Sequence, residues 1–304
     1  MGAGHRGRFG LLAALIAVGA GVAGIPAMAQ EDSSTGPVRI GMVRTLFRDV
    51  PAPMILALMK PFGAMMESQT GLAGQLVASG NALELGRQLA ADKVQLGVFH
   101  GIEFAWARQQ HPELRPLMIA VNQDCHLRAL LVVRKHSRAA CAGDLAGRAL
   151  AIPRGSREHC HLFLEGQCKA CGKDPAHLFR RITASPNAEE ALDDLVDNEV
   201  QGVVVDAVAF DCFQRRKPGR CASLRVAAES EVFPAAVVAY RPGSLNGEDL
   251  GRFRDGMIRA NKSAIGRQLL TLWKLTGFEP VPADYQETLD RILKAYPAPR
   301  AVSK

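Results

Sequence analysis

Asp144-Leu145-Ala146-Gly147-Arg148-Ala149-Leu150-Ala151-Ile152-Pro153 is a turn that feeds a short apolar run, and it restarts a pattern that the chain has already gone through once. Asp144 and Gly147 are turn residues, and Ala149 to Pro153 reads as a strand. Downstream, the spacing predicts a helix from about Ser156 to Cys171, a strand Phe179 to Thr183, a helix Ala188 to Asn198 and a strand Gly202 to Asp206. Two more strands follow, Leu224 to Ala228 and Ala235 to Tyr240. Upstream, strands are expected at Val38 to Val43, Gly74 to Ala78, Leu96 to Phe99 and Leu117 to Val121. Between them lie amphipathic segments at Pro53 to Thr70, opened by Pro51 and Pro53 and closed by Gly71, and at Ala82 to Asp92. Leu127 to Arg134 is apolar throughout its centre, the mark of a strand buried on both faces. The C-terminus reads as helix from Glu248 to Thr276 with Gly277 as its stop, then from Asp284 to Ala295. Strands alternating with helices predict an α/β protein with largely parallel sheets. The two cycles predict one lobe inserted in another: residues 30–128 and 235–304 form lobe I, and 129–234 form lobe II.

The first 29 of the 304 residues have the anatomy of a secretory signal peptide: His5, Arg6 and Arg8, an apolar run from Leu11 to Ile25, then Ala27-Met28-Ala29 before Gln30. The run is shorter than the roughly 20 apolar residues a membrane span needs. Cleavage after Ala29 and a periplasmic location are expected. Gly19-Ala20-Gly21-Val22-Ala23-Gly24 matches a dinucleotide-binding GxGxxG, but no strand precedes it and export removes it. Without Arg6 and Arg8 the chain carries 35 basic against 30 acidic side chains. That modest excess is dispersed and poor in aromatics, which argues against nucleic acid as a partner. GxSxG, HExxH and P-loop motifs are all missing, so acyl transfer, zinc proteolysis and NTP hydrolysis have no support.

Seven cysteines in an exported chain point to disulfides. Six of them, Cys141, Cys160, Cys168, Cys171, Cys212 and Cys221, fall in lobe II, and Cys125 lies outside it. Cys160 and Cys168 are eight residues apart on one helix, about 12 Å, too far to bridge each other. Cys212 or Cys221 are the more suitable partners, although six cysteines allow 15 pairings. Glu158-His159-Cys160-His161 with Cys168-Lys169-Ala170-Cys171 also raises the alternative of a secreted metal- or thiol-dependent protein. Against it, His159 and His161 leave a helix on different faces, Gly172 stands where haem attachment needs His, and the CxxC ends a helix rather than starting one.

Five phrases occur in an order and spacing that resemble the periplasmic phosphate-, phosphite- and phosphonate-binding proteins of ABC transporters. They are Val38-Arg39-Ile40-Gly41, Leu96-Gly97-Val98-Phe99-His100-Gly101, Asp144-Leu145-Ala146-Gly147-Arg148, Glu229-Ser230 with Pro234, and Gly277-Phe278-Glu279-Pro280-Val281-Pro282-Ala283-Asp284-Tyr285. The resemblance implies the type II periplasmic-binding-protein fold, two α/β lobes joined by two crossing strands. It also implies a small-molecule oxyanion as ligand, an ABC transporter permease as partner, no cofactor, no catalysis and a monomer. A ligand sensor without its own permease is the remaining alternative.

In open α/β sheets ligands bind beyond the carboxyl ends of strands, and helix starts supply N–H donors to anions. This logic selects Thr45, Phe47, His100, Gly101, Glu103, Ser156, Arg157, Glu158, His159 and Asp206 as ligand-binding candidates. Where the family places a Ser-Thr-Ser-Gly cluster, this chain has Gly155-Ser156-Arg157-Glu158-His159. Arg157 is suited to clamp an anion in bidentate fashion, whereas Glu158 repels one if it faces the cleft. His100 has a competing reading as a turn histidine, Asp206 as a strand-end cap, and Phe47 as a core residue.

Overall fold

Each strand-to-helix cycle of the sequence becomes part of one of two sheets, and the helices cover the sheet faces. The computed structural model describes residues 36–48, 50 and 52–299. The signal-peptide segment lies outside the described residues. The first sheet is entered through β1 (Val38–Met42), α1 (Ala52–Thr70), β2 (Gly74–Ala78), α2 (Ala82–Ala90), β3 (Leu96–Phe99), α3 (Gly101–Gln110) and β4 (Arg115–Val121). The chain then crosses on β5 (His126–Leu127).

The second sheet is built by β6 (Ala129–Arg134), β7 (Ala149–Ala151), α4 (Glu158–Lys169), α5 (Pro175–Leu178), β8 (Arg181–Thr183), α6 (Ala188–Val196), β9 (Gly202–Asp206), α7 (Ala207–Arg216), α8 (Pro218–Cys221) and β10 (Leu224–Glu229). The return is β11 (Phe233–Pro234), followed by β12 (Ala236–Tyr240), α9 (Gly247–Ile258), α10 (Ala264–Leu272), β13 (Gly277–Glu279) and α11 (Tyr285–Ala295).

The first sheet has the order β13-β4-β12-β3-β1-β2, and the second β10-β6-β9-β7-β8. Parallel pairing of β1 with β2 and β3, and of β7 with β8 and β9, requires the helical crossovers seen in the sequence. The two crossing strands pair with each other antiparallel, Leu127 opposite Phe233, and form the joint between the lobes. Two α/β lobes on two crossing strands constitute the type II periplasmic-binding-protein fold.

In the second sheet, successive residues of one strand point to opposite faces. Leu131 and Val133 pack with Phe163, Leu164, Cys160 and Cys168 of α4, while Leu130 and Val132 pack with Leu192, Leu195, Phe210 and Phe213 of α6 and α7. Burial on both faces explains the unbroken apolar run at Ala129 to Val133.

The long C-terminal helix expected over Glu248 to Thr276 is broken. Ser263 is extended, its hydroxyl accepts the Gly266 N–H at 2.9 Å, and a new helix starts there. Gly266 lies so close to Ala260 that a Cβ would stand 1.9 Å from its carbonyl oxygen, so only glycine fits at this break. Gly277 is no helix stop but the first residue of an edge strand, opposite Val121. Helix α3 escapes periodicity because Gly101 to Ala107 are all buried, leaving no polar stripe to mark its outer face.

Candidate functional site

Strand ends and helix starts from both sheets converge on the cleft. Thr45 and Phe47 lie in the 3-10 turn after β1, His100 is the N-cap of α3, Arg157 is the N-cap of α4, and Asp206 ends β9 and caps α7. An N-cap in extended conformation turns the chain from strand into helix and leaves the first N–H groups facing outward. Neither His100 nor Arg157 uses its side chain to cap its own helix.

Two chambers share the wall made by Gly155, Ser156, Arg157 and Lys274. One, of about 230 Å³, is predominantly apolar and has Thr45, Phe47, Arg48 and His100 among its lining residues. The other, of about 710 Å³, is more polar and lies against lobe II, with Asn187, Glu190, Asp206 and Arg216 among its lining residues. The Arg157 Nη2 reaches across to the Lys274 carbonyl at 3.4 Å.

Charged groups at the site are paired in three sets. The Thr45 hydroxyl donates to Glu103, 2.9 and 2.8 Å from its two carboxylate oxygens. Burial lifts the Glu103 carboxyl to about 7 against the Thr45 hydrogen bond, and the neighbouring Glu158 pushes it the same way as burial. Glu158, 8% exposed, does not face an anion freely, because Arg48 of lobe I reaches over to it, Nη2 to Oε2 at 2.5 Å. His159 Nε2 stands 3.1 Å from Asp206 Oδ2, and Asp206 Oδ1 accepts the Val208 N–H at 2.9 Å. Burial pushes the Asp206 carboxyl up, but the His159 contact, the charge of Arg157 and the Val208 N–H outweigh it and hold it below the usual carboxylate range. Asp206 is therefore a helix cap and the partner of His159 at once.

His100 sits against these groups with its Nε2 buried and without a hydrogen-bond partner. Burial drives its pKa down to about 3, opposed by a hydrogen bond to the Thr45 backbone and reinforced by the nearby charges of Arg157, His159 and Arg48. A neutral imidazole holding an unused polar nitrogen in a chamber wall is a ready contact for a bound molecule. Gly101 lies against the returning crossing strand: a Cβ there would stand 2.4 Å from the Pro234 carbonyl oxygen and 2.6 Å from that of Ala235. The lack of a side chain at 101 thus lets lobe I and the joint approach backbone to backbone.

Three lining residues, Arg48, Trp273 and Lys274, carry no sequence signal that marks them. Arg48 becomes meaningful only beside Glu158, 110 residues away. Trp273 and Lys274 follow α10 in a turn where Lys274 has φ 54°, and they reach the site only because β13 returns the chain to the first sheet.

The cysteines correct an expectation. All seven are free. Cys160 and Cys168 belong to the core on one face of the second sheet and Cys221 to the core on the other, so the sheet itself separates Cys160 and Cys168 from the partner proposed for them. Cys212 is on α7, on the Cys221 side, near Arg215. Cys141 and Cys171 come together, both sulfurs lying within 3.5 Å of a Cβ position built on Gly143, and Cys168 neighbours Cys171.

The His/Cys cluster raised as an alternative at 159–171 does not gather on one point. Glu158 turns to Arg48, His159 to Asp206, and Cys160 packs in the core with its Sγ 3.5 Å from His159 Nε2. Among the described residues the metal-ligand side chains that converge are Asp124, Cys125 and His126, beside the joint and outside that cluster.

The profile of a family described as the ABC transporter, phosphonate, periplasmic substrate-binding protein matches residues 50–285. No curated protein sequence matches the chain. Among solved structures, the binding-protein component of an ABC phosphonate transporter from Pseudomonas aeruginosa is 16% identical with a TM-score of 0.53, covering 85% of this chain and 87% of its own. A Prochlorococcus marinus protein in complex with methylphosphonate is 13% identical with a TM-score of 0.55, covering 85% and 98%. A Xanthomonas citri protein bound to chloride ion is 17% identical with a TM-score of 0.57, covering 85% and 96%. These likenesses concern the fold, while the profile spans most of the sequence, both crossing strands and the C-terminal Asp284-Tyr285. The chain belongs to the phosphonate periplasmic substrate-binding protein family of ABC transporters.

Proposed function

We propose that this receptor is exported with loss of residues 1–29, captures a small oxyanion such as a phosphonate, phosphite or phosphate ester between its lobes, and delivers it as a monomer to an ABC importer. The lobes in this reading are residues 30–128 with 235–304, and residues 129–234. The observation that carries it is the position of Ser156 and Arg157. They precede α4 at the wall common to both chambers, opposite Lys274 and His100 of the other lobe. A hydroxyl, a guanidinium, an ammonium and the free N–H groups of a helix start then surround one volume, and each favours an anion. Glu158 is paired with Arg48 and Asp206 hydrogen-bonds to His159 and to the Val208 N–H, so both carboxylates are engaged and oppose an anion less than isolated ones do.

Thr45, Phe47, His100 and Glu103 supply the lobe I side of the site, with Glu103 acting through Thr45. His159 and Asp206 supply the lobe II side. The family is one of transport receptors, and no catalytic role is assigned to any of these residues. Native mass spectrometry of protein purified from the periplasm tests the reading. The expected spectrum shows a chain beginning at Gln30 carrying a phosphorus-containing acid. A chain beginning at Met1, or an exported chain that stays unliganded after exposure to millimolar phosphonates, overturns it.

A further inference from the structure

A receptor for an ion of phosphite or methylphosphonate size has no use for a second, apolar chamber behind the ion. This protein has one. Its walls include Phe62, Met118, Val238, Phe253, Trp273 and Phe278, drawn from the first sheet and from the α1, α9 and α10 layer. Phe62 and Trp273 are stacked, ring centroids 5.1 Å apart at 22°, and offer a flat surface. It shares the Ser156, Arg157 and Lys274 wall with the polar chamber, so a molecule held there by its charged end has this chamber immediately beside it.

The chamber is also unsatisfied. Arg48 Nε, His100 Nε2 and Trp273 Nε1 are buried and without hydrogen-bond partners, and all three residues line it. Native proteins leave few such groups, because a buried donor with no acceptor forfeits its hydration for nothing. His100 lies near the charges of Arg48 and Arg157, whereas Trp273 stacks on Phe62. A volume of about 230 Å³ exceeds the roughly 150 Å³ that accommodates benzene in a dry engineered cavity.

We infer that the ligand of this cleft is an amphiphilic oxyanion, a phosphonate or phosphate ester whose aryl or compact alkyl substituent occupies the apolar chamber against Phe62 and Trp273 while the anionic head meets Ser156, Arg157 and Lys274. The inference rests on the receptor reading above and narrows its substrate class. An acceptor atom on the substituent, such as a carbonyl oxygen, satisfies Trp273 Nε1, and the head satisfies His100 and Arg48. Ligand selection then comes from two sources: the head is shared with every phosphonate, and the tail discriminates between them through apolar burial.

Calorimetry on the full exported chain with methylphosphonate and phenylphosphonate tests this, alongside a Val98→Phe variant that narrows the chamber from β3 and a milder Ala236→Val variant for use if the first does not fold. The expected result is phenylphosphonate bound at least tenfold more tightly than methylphosphonate, with that ratio falling toward one in the narrowed variant. Methylphosphonate bound as well as or better than phenylphosphonate overturns the inference and leaves the receptor reading intact. An unchanged ratio in a folded narrowed variant also overturns it, because the ring then sits elsewhere. If neither compound gives heat or a thermal shift, the inference falls, and the receptor reading falls with it only when phosphate, phosphite and aminoethylphosphonate also fail to bind.

Discussion

Arg48, in the loop after β1, and Glu158, the first residue of α4, belong to different lobes, and their side chains meet at 2.5 Å. The Arg48 side chain is 36% exposed and the Glu158 side chain 10%, so the pair is partly shielded from solvent. Arg48→Ala leaves a largely buried carboxylate without its partner, and we expect a loss of about 1–3 kcal/mol in stability. The same change should shift the unliganded protein toward an open cleft, seen as a larger radius of gyration in solution scattering. A double-mutant cycle with Glu158→Gln measures the coupling. A coupling energy within about 0.3 kcal/mol of zero means that the contact does not hold the lobes.

Two buried groups of opposite sign, Glu103 and His100, act on the pH dependence of stability between about pH 4.5 and 6.5. Glu103 titrates near 7 when folded against 4.5 when unfolded, so the folded state holds the extra proton and this group alone makes stability fall as pH rises from about 4.5 to about 7. The full effect, reached above pH 7, is about 3 kcal/mol. His100 titrates near 3 when folded against 6.5 when unfolded, so the unfolded state holds the extra proton and stability rises with pH over that window. Between about pH 4.5 and 6.5 the two slopes oppose each other, and denaturation midpoints should be nearly flat. Glu103→Gln removes one slope: its stability should climb through that range and exceed the parent's above pH 7. A variant curve that parallels the parent's throughout contradicts the placement of Glu103.

Thiol reactivity reports the burial of the cysteines. Burial raises the Cys160 thiol pKa, and burial with the neighbouring Cys171, Asp174 and Glu165 lifts that of Cys168 to about 11. Alkylation of the native protein near pH 8 should label exposed Cys171 first and leave Cys160 and Cys168 unmodified until denaturant is added. Labelling of Cys160 or Cys168 at the rate of Cys171 contradicts the packing of α4.

Gly101→Ala places a methyl group against two backbone carbonyls of the returning strand, neither of which can rotate away. Such overpacking costs about 1–3 kcal/mol, and the strain falls on the joint itself. Thermal denaturation should show the loss, and Gly147→Ala provides a control in which the added methyl meets no neighbour but sits at positive φ. Equal destabilisation of both variants removes the close approach as the cause.

The strands and most helices were legible because they are local: Val38 to Met42 or Gly202 to Asp206 need only their own apolar runs to be recognised. The two-lobe order was legible because the cycle of strand and helix repeats, with Asp144 to Gly147 marking its restart. What was not legible depended on contacts across the chain. Cys160 and Cys221 are equally apolar in the sequence, and only the sheet between them shows that they cannot meet. Glu158 reads as a hazard to an anion until Arg48 is placed beside it, and α3 hides because burial on all sides erases its stripe. Among the chamber-lining residues, Ser156, Arg157, His100 and Asp206 were reachable from strand-end logic. Trp273 and Lys274 were not, since the helix expected over their segment ends at Leu272 and the chain turns back into the sheet.

Oxyanion capture between the lobes is tested most directly by isothermal calorimetry of the mature protein with phosphate, phosphite, methylphosphonate and aminoethylphosphonate, repeated on Arg157→Ala and Ser156→Ala. At least one of the four should bind with measurable heat. Arg157→Ala should weaken that binding by about 2–5 kcal/mol, mostly through faster dissociation, and Ser156→Ala by about 0.5–1.5 kcal/mol. Binding that is indifferent to both substitutions, or no heat with any of the four at millimolar concentration, contradicts the placement of an oxyanion at the start of α4.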